Sequence, residues 1–299
     1  MFFLIKININ NILYPSRLKN ISNPPESIYA EGNLELLNSN SIAIIGSRQA
    51  SENGKKLAKK FSNELSQIGI TVVSGLARGI DTVVHSNSYN QEGKTIAVLG
   101  SGFNKIFPPE NAILCKKILE NNGLIISEYP PDEEKLSSRF RARNRIISGL
   151  SLGVLVIESK YKSGTSITAN FAQKQNKPVF ALPHEIDNPH GVGTNRLLKN
   201  GAILITDTLD ILEKLQLLDL KDRYFNLNNA ENSSNRIPVF ANSIQSIIYK
   251  FISTSPISPN DLVKQTKLSI NEILSSLFIL EMDGYIKKVE GGYICTKIK

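Results

Sequence analysis

From Ser41 onward the chain alternates short, almost uninterrupted apolar runs with longer amphipathic stretches, and few architectures accept that pattern. The runs are SIAII (41–45), ITVVS (70–74), TIAVLG (95–100), LIISEY (124–129), VLVIES (154–159), PVFALP (178–183) and AILIT (202–206). A strand with one wet face alternates apolar and polar residues, whereas a continuous apolar run suits a strand covered on both faces. Helical patterns stand between the runs. Ser51 can cap a helix that carries Leu57, Phe61 and Leu65 and stops near Gly69. Further helices are expected near Pro109, Arg143, Thr165, Asn195 and Thr208. Strand–helix alternation of this kind predicts an α/β fold, a doubly wound and mostly parallel sheet with helices on both faces. Such sheets bind ligands beyond the carboxyl ends of their strands, so the loops that follow each strand are the places for a site.

The pattern bounds the domains. Residues 1–40 are an N-terminal segment, and residues 41–216 hold the alternating domain. Residues 217–236, rich in Asn and Ser and without a period, read as a linker. Residues 237–299 form a compact module. Ser243 to Phe251 is helical, and Ser258-Pro259 starts a second helix with Pro at its first position. Ser269-Ile270-Asn271-Glu272 is a capping box that opens a third helix, with Ile270, Ile273, Leu274, Leu277, Phe278 and Leu280 expected on one face. YIKKV, Gly291-Gly292 and YICTKI then make a hairpin. Three helices and a hairpin are the pattern of a winged helix.

Composition excludes several classes. Hydrophobic residues are 41% of the 299, enough for a sizeable core, and no run approaches the ~18 apolar residues of a membrane span. The start, MFFLIKININN, has Lys6 inside it and no small-residue cleavage site, so a signal peptide is rejected. Cys115 and Cys295 are too few for a metal cluster or a disulfide framework and are expected to be ordinary thiols in a reducing cytoplasm. The net charge is +8, of which residues 41–216 carry +6, which favours a polyanionic partner for the central domain.

The loops after the strands fit phosphate. Gly46-Ser47-Arg48 follows the first run and precedes a helix, offering close backbone approach, donors and a guanidinium. Ser74-Gly75 to Gly79-Ile80-Asp81 makes a second cradle, in which Asp81 reads as a helix cap. Gly100-Ser101-Gly102 is a third, and Lys162-Ser163-Gly164 with Thr165 is a fourth. Between them lies Arg139-Phe140-Arg141-Ala142-Arg143-Asn144-Arg145. Four arginines around an aromatic ring suit single-stranded nucleic acid, with guanidinium groups on phosphates and the ring under an unpaired base. The competing reading places Phe140 in the core and pairs arginines with Asp132, Glu133 and Glu134.

Familiar chemistries are missing. Gly93-Lys94-Thr95 resembles the end of a Walker motif, but Ser88 stands where its first glycine is required. Gly100 and Gly102 are half of a dinucleotide fingerprint whose third glycine is Lys105. His85, His184 and His190 lack metal-ligand spacing, and no nucleophile–base pair stands out. No catalytic residue, metal or cofactor is therefore expected.

With these motifs in order, the sequence resembles the family of DNA-processing protein A, also called Smf. The resemblance runs through ILYPSRLKNISNPPESIYAEGN, IAIIGSRQAS, VVSGLARGID, IAVLGSGFNKIFPPEN, ISEYPP, RNRIISGLS, ESKYKSGTSITA and GTNRLLKNGA, and extends to the winged module. It implies an extended Rossmann-like domain that binds single-stranded DNA, forms a homodimer and loads RecA recombinase during natural transformation, with no established catalysis. It implies DNA and phosphate contacts at Gly46, Ser47, Arg48, Ser74, Gly75, Gly79, Phe140, Arg143, Asn144, Arg145, Lys162, Ser163 and Gly164. Two positions depart from the family's usual pattern. Arg141 stands where Pro is usual, and His184 where Gly is usual. The alternative on a similar scaffold is a nucleotide phosphoribohydrolase of the lysine-decarboxylase-like family, but PHEIDNPHGVGTN lacks that family's glycine-rich motif and glutamate. A transcription regulator is disfavoured because the third helix of the winged module carries Glu272, Glu281 and Asp283.

Overall fold

The computed structural model of the chain describes residues 3–161, 163–227, 243–253 and 255–296. It divides into two compact units, one ending at Lys221 and one beginning at Asp222.

The first unit is built on a nine-stranded sheet. In chain order its elements are β1 (Ile5–Asn8), α1 (Ser16–Lys19), β2 (Ser27–Gly32), β3 (Ser41–Ile45), α2 (Glu52–Gln67), β4 (Thr71–Ser74), α3 (Ile80–Ser88), β5 (Thr95–Leu99), α4 (Ala112–Glu120), β6 (Leu124–Ser127), α5 (Ser137–Leu150), β7 (Gly153–Val156), α6 (Gly164–Lys174), β8 (Val179–Ala181), α7 (Val192–Lys199), β9 (Ile203–Leu204) and α8 (Thr208–Lys214). The spatial order is β1-β2-β6-β5-β4-β3-β7-β8-β9. Strands β3 to β9 are parallel, while β2 runs antiparallel to β6 and β1 antiparallel to β2.

The seven apolar runs supply the seven parallel strands, most of them shortened and β7 starting one residue early at Gly153, and every residue of β3, β4, β5, β6 and β7 is buried. Burying a Val, Ile or Leu side chain contributes about 1.5–3 kcal/mol, so these continuous runs carry the core. Helix α2 begins where Ser51 accepts a hydrogen bond from the Gly54 N–H, and it buries Ala58, Phe61 and Leu65 while Leu57 stays half-buried.

The sheet does not begin at Ser41. Ile7, Ile28 and Ala30 are buried on β1 and β2, and the register Ala30↔Ile126 joins the N-terminal segment to the sheet. Within the expected linker, Leu218–Leu220 is a 3-10 turn and residues 221–227 are helical (α9). Residues 228–236 of that segment lie outside the described residues.

The second unit contains α10 (Ser243–Phe251), α11 (Pro259–Thr266), α12 (Ile270–Met282) and the antiparallel hairpin of β10 (Ile286–Val289) and β11 (Gly292–Cys295). The expected capping box is present: Ser269 accepts from the Glu272 N–H, and Glu272 accepts from the Ser269 N–H. Gly291 turns the hairpin with φ +93°. The expected single apolar face of α12 is in fact two. Ile273, Leu277 and Leu280 are buried, whereas Ile270, Leu274 and Phe278 form an exposed stripe at intervals of four residues.

Candidate nucleic-acid interface

Neighbouring strands β3 and β7 mark the point where the chain order of the sheet reverses. Their following loops therefore diverge and leave a crevice beyond the carboxyl ends. A cavity of about 570 Å3 opens there. Gly46, Ser47, Arg48 and Gln49 line it from the loop after β3, and Lys160, Ser163, Gly164 and Thr165 from the loop after β7. Ser137, Phe140, Arg141, Arg143 and Asn144 line it from the first turns of α5. A smaller cavity of about 110 Å3, lined by Arg48, Gly75, Arg78, Phe107 and Phe140 among others, shares the Arg48 and Phe140 walls.

The loop after β3 is held from both sides. Gly46 is needed because a Cβ there would lie 2.5 Å from Ile80. Ser47 Oγ accepts from the Gln49 N–H at 3.1 Å and donates to the Gln49 carbonyl at 3.0 Å, so it shapes the turn. The N-terminus of α2 is already occupied. Fully buried Glu158 accepts from the Ser51 N–H at 3.0 Å and from Ser51 Oγ, and a Cβ on Gly54 would collide with its carboxylate. An anion is thus built into that helix end, where the macrodipole favours it. The helix N-termini left open at the crevice are instead those of α5 and α6, which start at Ser137 and Gly164 with no side-chain cap. Glu158 escaped sequence reasoning. Its signal is a carboxylate closing the run VLVIES at a strand's carboxyl end.

The basic–aromatic segment lies in α5, which begins at Ser137 and not near Arg143. A helix distributes four arginines around its circumference, and they do different things. Phe140 and Asn144, one turn apart, face the crevice, and a Cβ on Gly100 would strike the Phe140 ring. Arg141, in place of the usual proline, is exposed and lines the cavity. Arg139 pairs with Glu133 at 2.5 Å and stacks over Tyr129, as the competing reading had it for the upstream acids. Arg145 is buried against Glu128 at 2.5 Å and does not line the crevice.

Arg143 is 4% exposed. It reaches the crevice wall, but its guanidinium donates to the carbonyls of Gly75, at 2.6 Å, and Val98. Burial pushes its pKa down to about 10, with neighbouring Asp81 opposing the shift. Asp81 is not the helix cap expected of it, since Gly79 occupies that position. Its buried carboxylate accepts the Gly75 and Ala77 N–H groups at 3.1 and 3.3 Å, and burial raises its pKa while Arg143 lowers it. The pair is a strut that fixes the loop after β4. Ser74 and Gly79 are part of the same framework: Ser74 Oγ donates to the Ile44 carbonyl at 2.7 Å, and Gly79 has φ +76° with the Ser47 carbonyl packed against it.

Other expected residues sort similarly. The third loop is structural, since Gly102 packs on Pro130 and Pro131 and Ser101 Oγ donates to the Lys105 carbonyl. His184 Nε2 donates to the Ile157 carbonyl at 2.8 Å, and Gly191 leaves room for its Cβ. Lys162 lies outside the described residues. Among the described residues, no carboxylate forms a salt bridge with Arg48, Arg141 or Lys160. Lys160 Nζ instead bonds neutral Gln49 Oε1 at 2.9 Å, linking the two loops across the crevice. No helix among the described residues is long and apolar enough to cross a membrane.

Comparison with known proteins agrees with this architecture. Residues 6–216 match the family described as DNA recombination-mediator protein A, and residues 240–292 match the DprA winged helix domain. Protein Smf of Escherichia coli is 38% identical over 287 residues, covering 94% of this chain and 74% of that protein. DNA processing protein DprA of Bacillus subtilis is 39% identical over 70% of each chain. The X-ray structure of DprA from Streptococcus pneumoniae superposes with a TM-score of 0.67 at 38% identity, covering 70% of this chain and 74% of that one. The DprA structure from Helicobacter pylori, which addresses that protein's single-stranded DNA binding mode, superposes at 0.64 with 32% identity, covering 74% and 97%. With its sheet, its crevice and its winged helix in the family's order, the chain belongs to the DprA/Smf family of DNA-processing proteins.

Proposed function

We propose that the crevice between β3 and β7 binds single-stranded DNA, and that the protein works in recombination and natural transformation by holding that DNA for RecA recombinase. The observation that carries the reading is the set of cations without carboxylate partners among the described residues, Arg48, Arg141 and Lys160, that line one cavity with the Phe140 ring and the uncapped α6 N-terminus. Phosphates meet the cations and the α6 N–H groups, and an unpaired base has Phe140 to stack on. A duplex hides its base faces and gains only the charge term. The Helicobacter pylori relative, whose single-stranded DNA binding has been described, supports the same reading.

The protein carries no nucleotide-driven motor in this reading. It acts by occupying DNA and recruiting others, as a cytoplasmic homodimer whose two linked crevices raise effective affinity for one strand. The test is binding to matched single- and double-stranded oligonucleotides, with ATP hydrolysis as a control, followed by RecA filament assembly on DNA coated with single-strand-binding protein. Preference for the single strand and faster filament nucleation are expected. Equal or tighter binding to blunt duplex at physiological salt overturns the binding mode, and no gain in nucleation overturns the loading role.

A further inference from the structure

Helix α7 touches the loop after β7 through Gly193, whose N–H donates to the Ser159 carbonyl at 2.6 Å. A Cβ on Gly193 would collide with Ser159 Oγ and sit 2.6 Å from the Lys160 carbonyl, so only glycine admits this approach. One turn on, Arg196 lies with its guanidinium carbon 4.8 Å from the centre of the Tyr161 ring. Tyr161 is 55% exposed, and Lys160 just before it and Ser163 shortly after it both line the crevice. Among the described residues, its hydroxyl makes no hydrogen bond and Arg196 no salt bridge.

An exposed cation–π contact is worth only about 0.5–1 kcal/mol, too little to explain why a large ring is held out in water. A largely exposed ring held against a guanidinium, with a cation-lined crevice next to it, matches the stacking platforms of single-strand binders. We propose that Tyr161 and Arg196 form a base-stacking platform that continues the single-strand path from the crevice onto α7. The inference rests on the single-stranded DNA reading of the crevice and extends it by at least one nucleotide.

The 299 residues contain no tryptophan, so Tyr161→Trp places one tryptophan fluorophore on the platform of the whole chain. Oligo(dT) long enough to leave the crevice should quench its emission, and a fully paired hairpin should not. Tyr161→Ala should weaken binding of a 20-nucleotide oligo(dT) about tenfold, within the range for one stacked base, and should leave a dinucleotide unaffected. Tyr161→Phe should bind like the wild type, which separates stacking from hydrogen bonding by the hydroxyl. Unchanged emission from the Tyr161→Trp variant together with unchanged affinity of Tyr161→Ala, in protein whose wild type binds the strand, removes the platform alone. Failure of the wild type to bind any single strand removes both the platform and the reading beneath it.

Discussion

Arg48 and Arg143 stand within the same crevice, yet replacing each should produce a different kind of failure. Arg48 is exposed, has no carboxylate partner among the described residues, and sits within a turn closed by hydrogen bonds between Ser47 Oγ and the Gln49 backbone, for which its own side chain is not needed. Truncating it to Ala should leave unfolding within ~0.5 kcal/mol of the wild type, as for surface positions away from special contacts. The same change deletes one guanidinium–phosphate contact. Charge-assisted hydrogen bonds contribute about 1.5–3 kcal/mol, so affinity for oligo(dT) should fall about tenfold to a hundredfold. It also removes one neutralised phosphate, so the slope of log K against log salt should become shallower by ~0.7. Fluorescence anisotropy with labelled oligonucleotide across a salt series reads both quantities, and urea unfolding provides the stability control. A folded Arg48→Ala protein with wild-type affinity and wild-type salt slope refutes the reasoning and moves the phosphate contact elsewhere.

Arg143→Ala, by contrast, leaves buried Asp81 facing no guanidinium and should lower unfolding free energy by about 3–5 kcal/mol, read as a fall in the urea midpoint. Arg145→Met should destabilise by a similar mechanism through Glu128, while any affinity loss disappears once folded protein is counted. His85 is fully buried, its Nδ1 donates to Thr95 Oγ1 at 2.8 Å, and burial lowers its pKa to about 3. The unfolded chain takes up that proton below about pH 6.5 and the native one does not, so stability should fall from pH 6.5 toward pH 3, by up to ~1.4 kcal/mol per unit. Raised Asp81 acts in the opposite direction, so the measurement is the difference between wild type and His85→Leu at pH 7 and 4.5; parallel curves would exclude His85 as the source. A protein ending at Lys221 contains the whole sheet and crevice and should keep single-strand binding; a folded truncation that no longer binds would place the site elsewhere.

What the sequence made readable was whatever depends on local pattern. The run SIAII, the Ser51 cap and the Ser269–Glu272 box each carry their own instructions, and each forms the expected element. Strands β1 and β2 were opaque because they alternate Ile5, Ile7, Ile28 and Ala30 with other residues and gain their place only by pairing, β2 with β6 almost a hundred residues on and β1 with β2. The crevice was legible as loops after strands, since doubly wound sheets place ligands there. The roles of individual arginines were not. A helix starting six residues before Arg143 turns a string of like charges into separate directions, and only the fold determines which of them meets Asp81, Glu128 or open crevice. Glu158 was hidden for the same reason, because the helix end it neutralises belongs to a distant part of the chain.

The division among these guanidinium groups sets how the surface can drift over generations. Arg143 and Arg145 are tied to the sheet by carbonyls and carboxylates, so a change at either is purged as lost protein, whatever DNA the cell handles. Arg48, Arg141 and Lys160 are anchored by no carboxylate among the described residues, and exchanges there leave the floor of the crevice where it was. Lineages can therefore raise or lower their grip on a strand one surface charge at a time. A survey of natural variants would find the buried pair nearly fixed and the rim in motion at Arg141 and Lys160, whereas Arg48 is held by its phosphate contact alone.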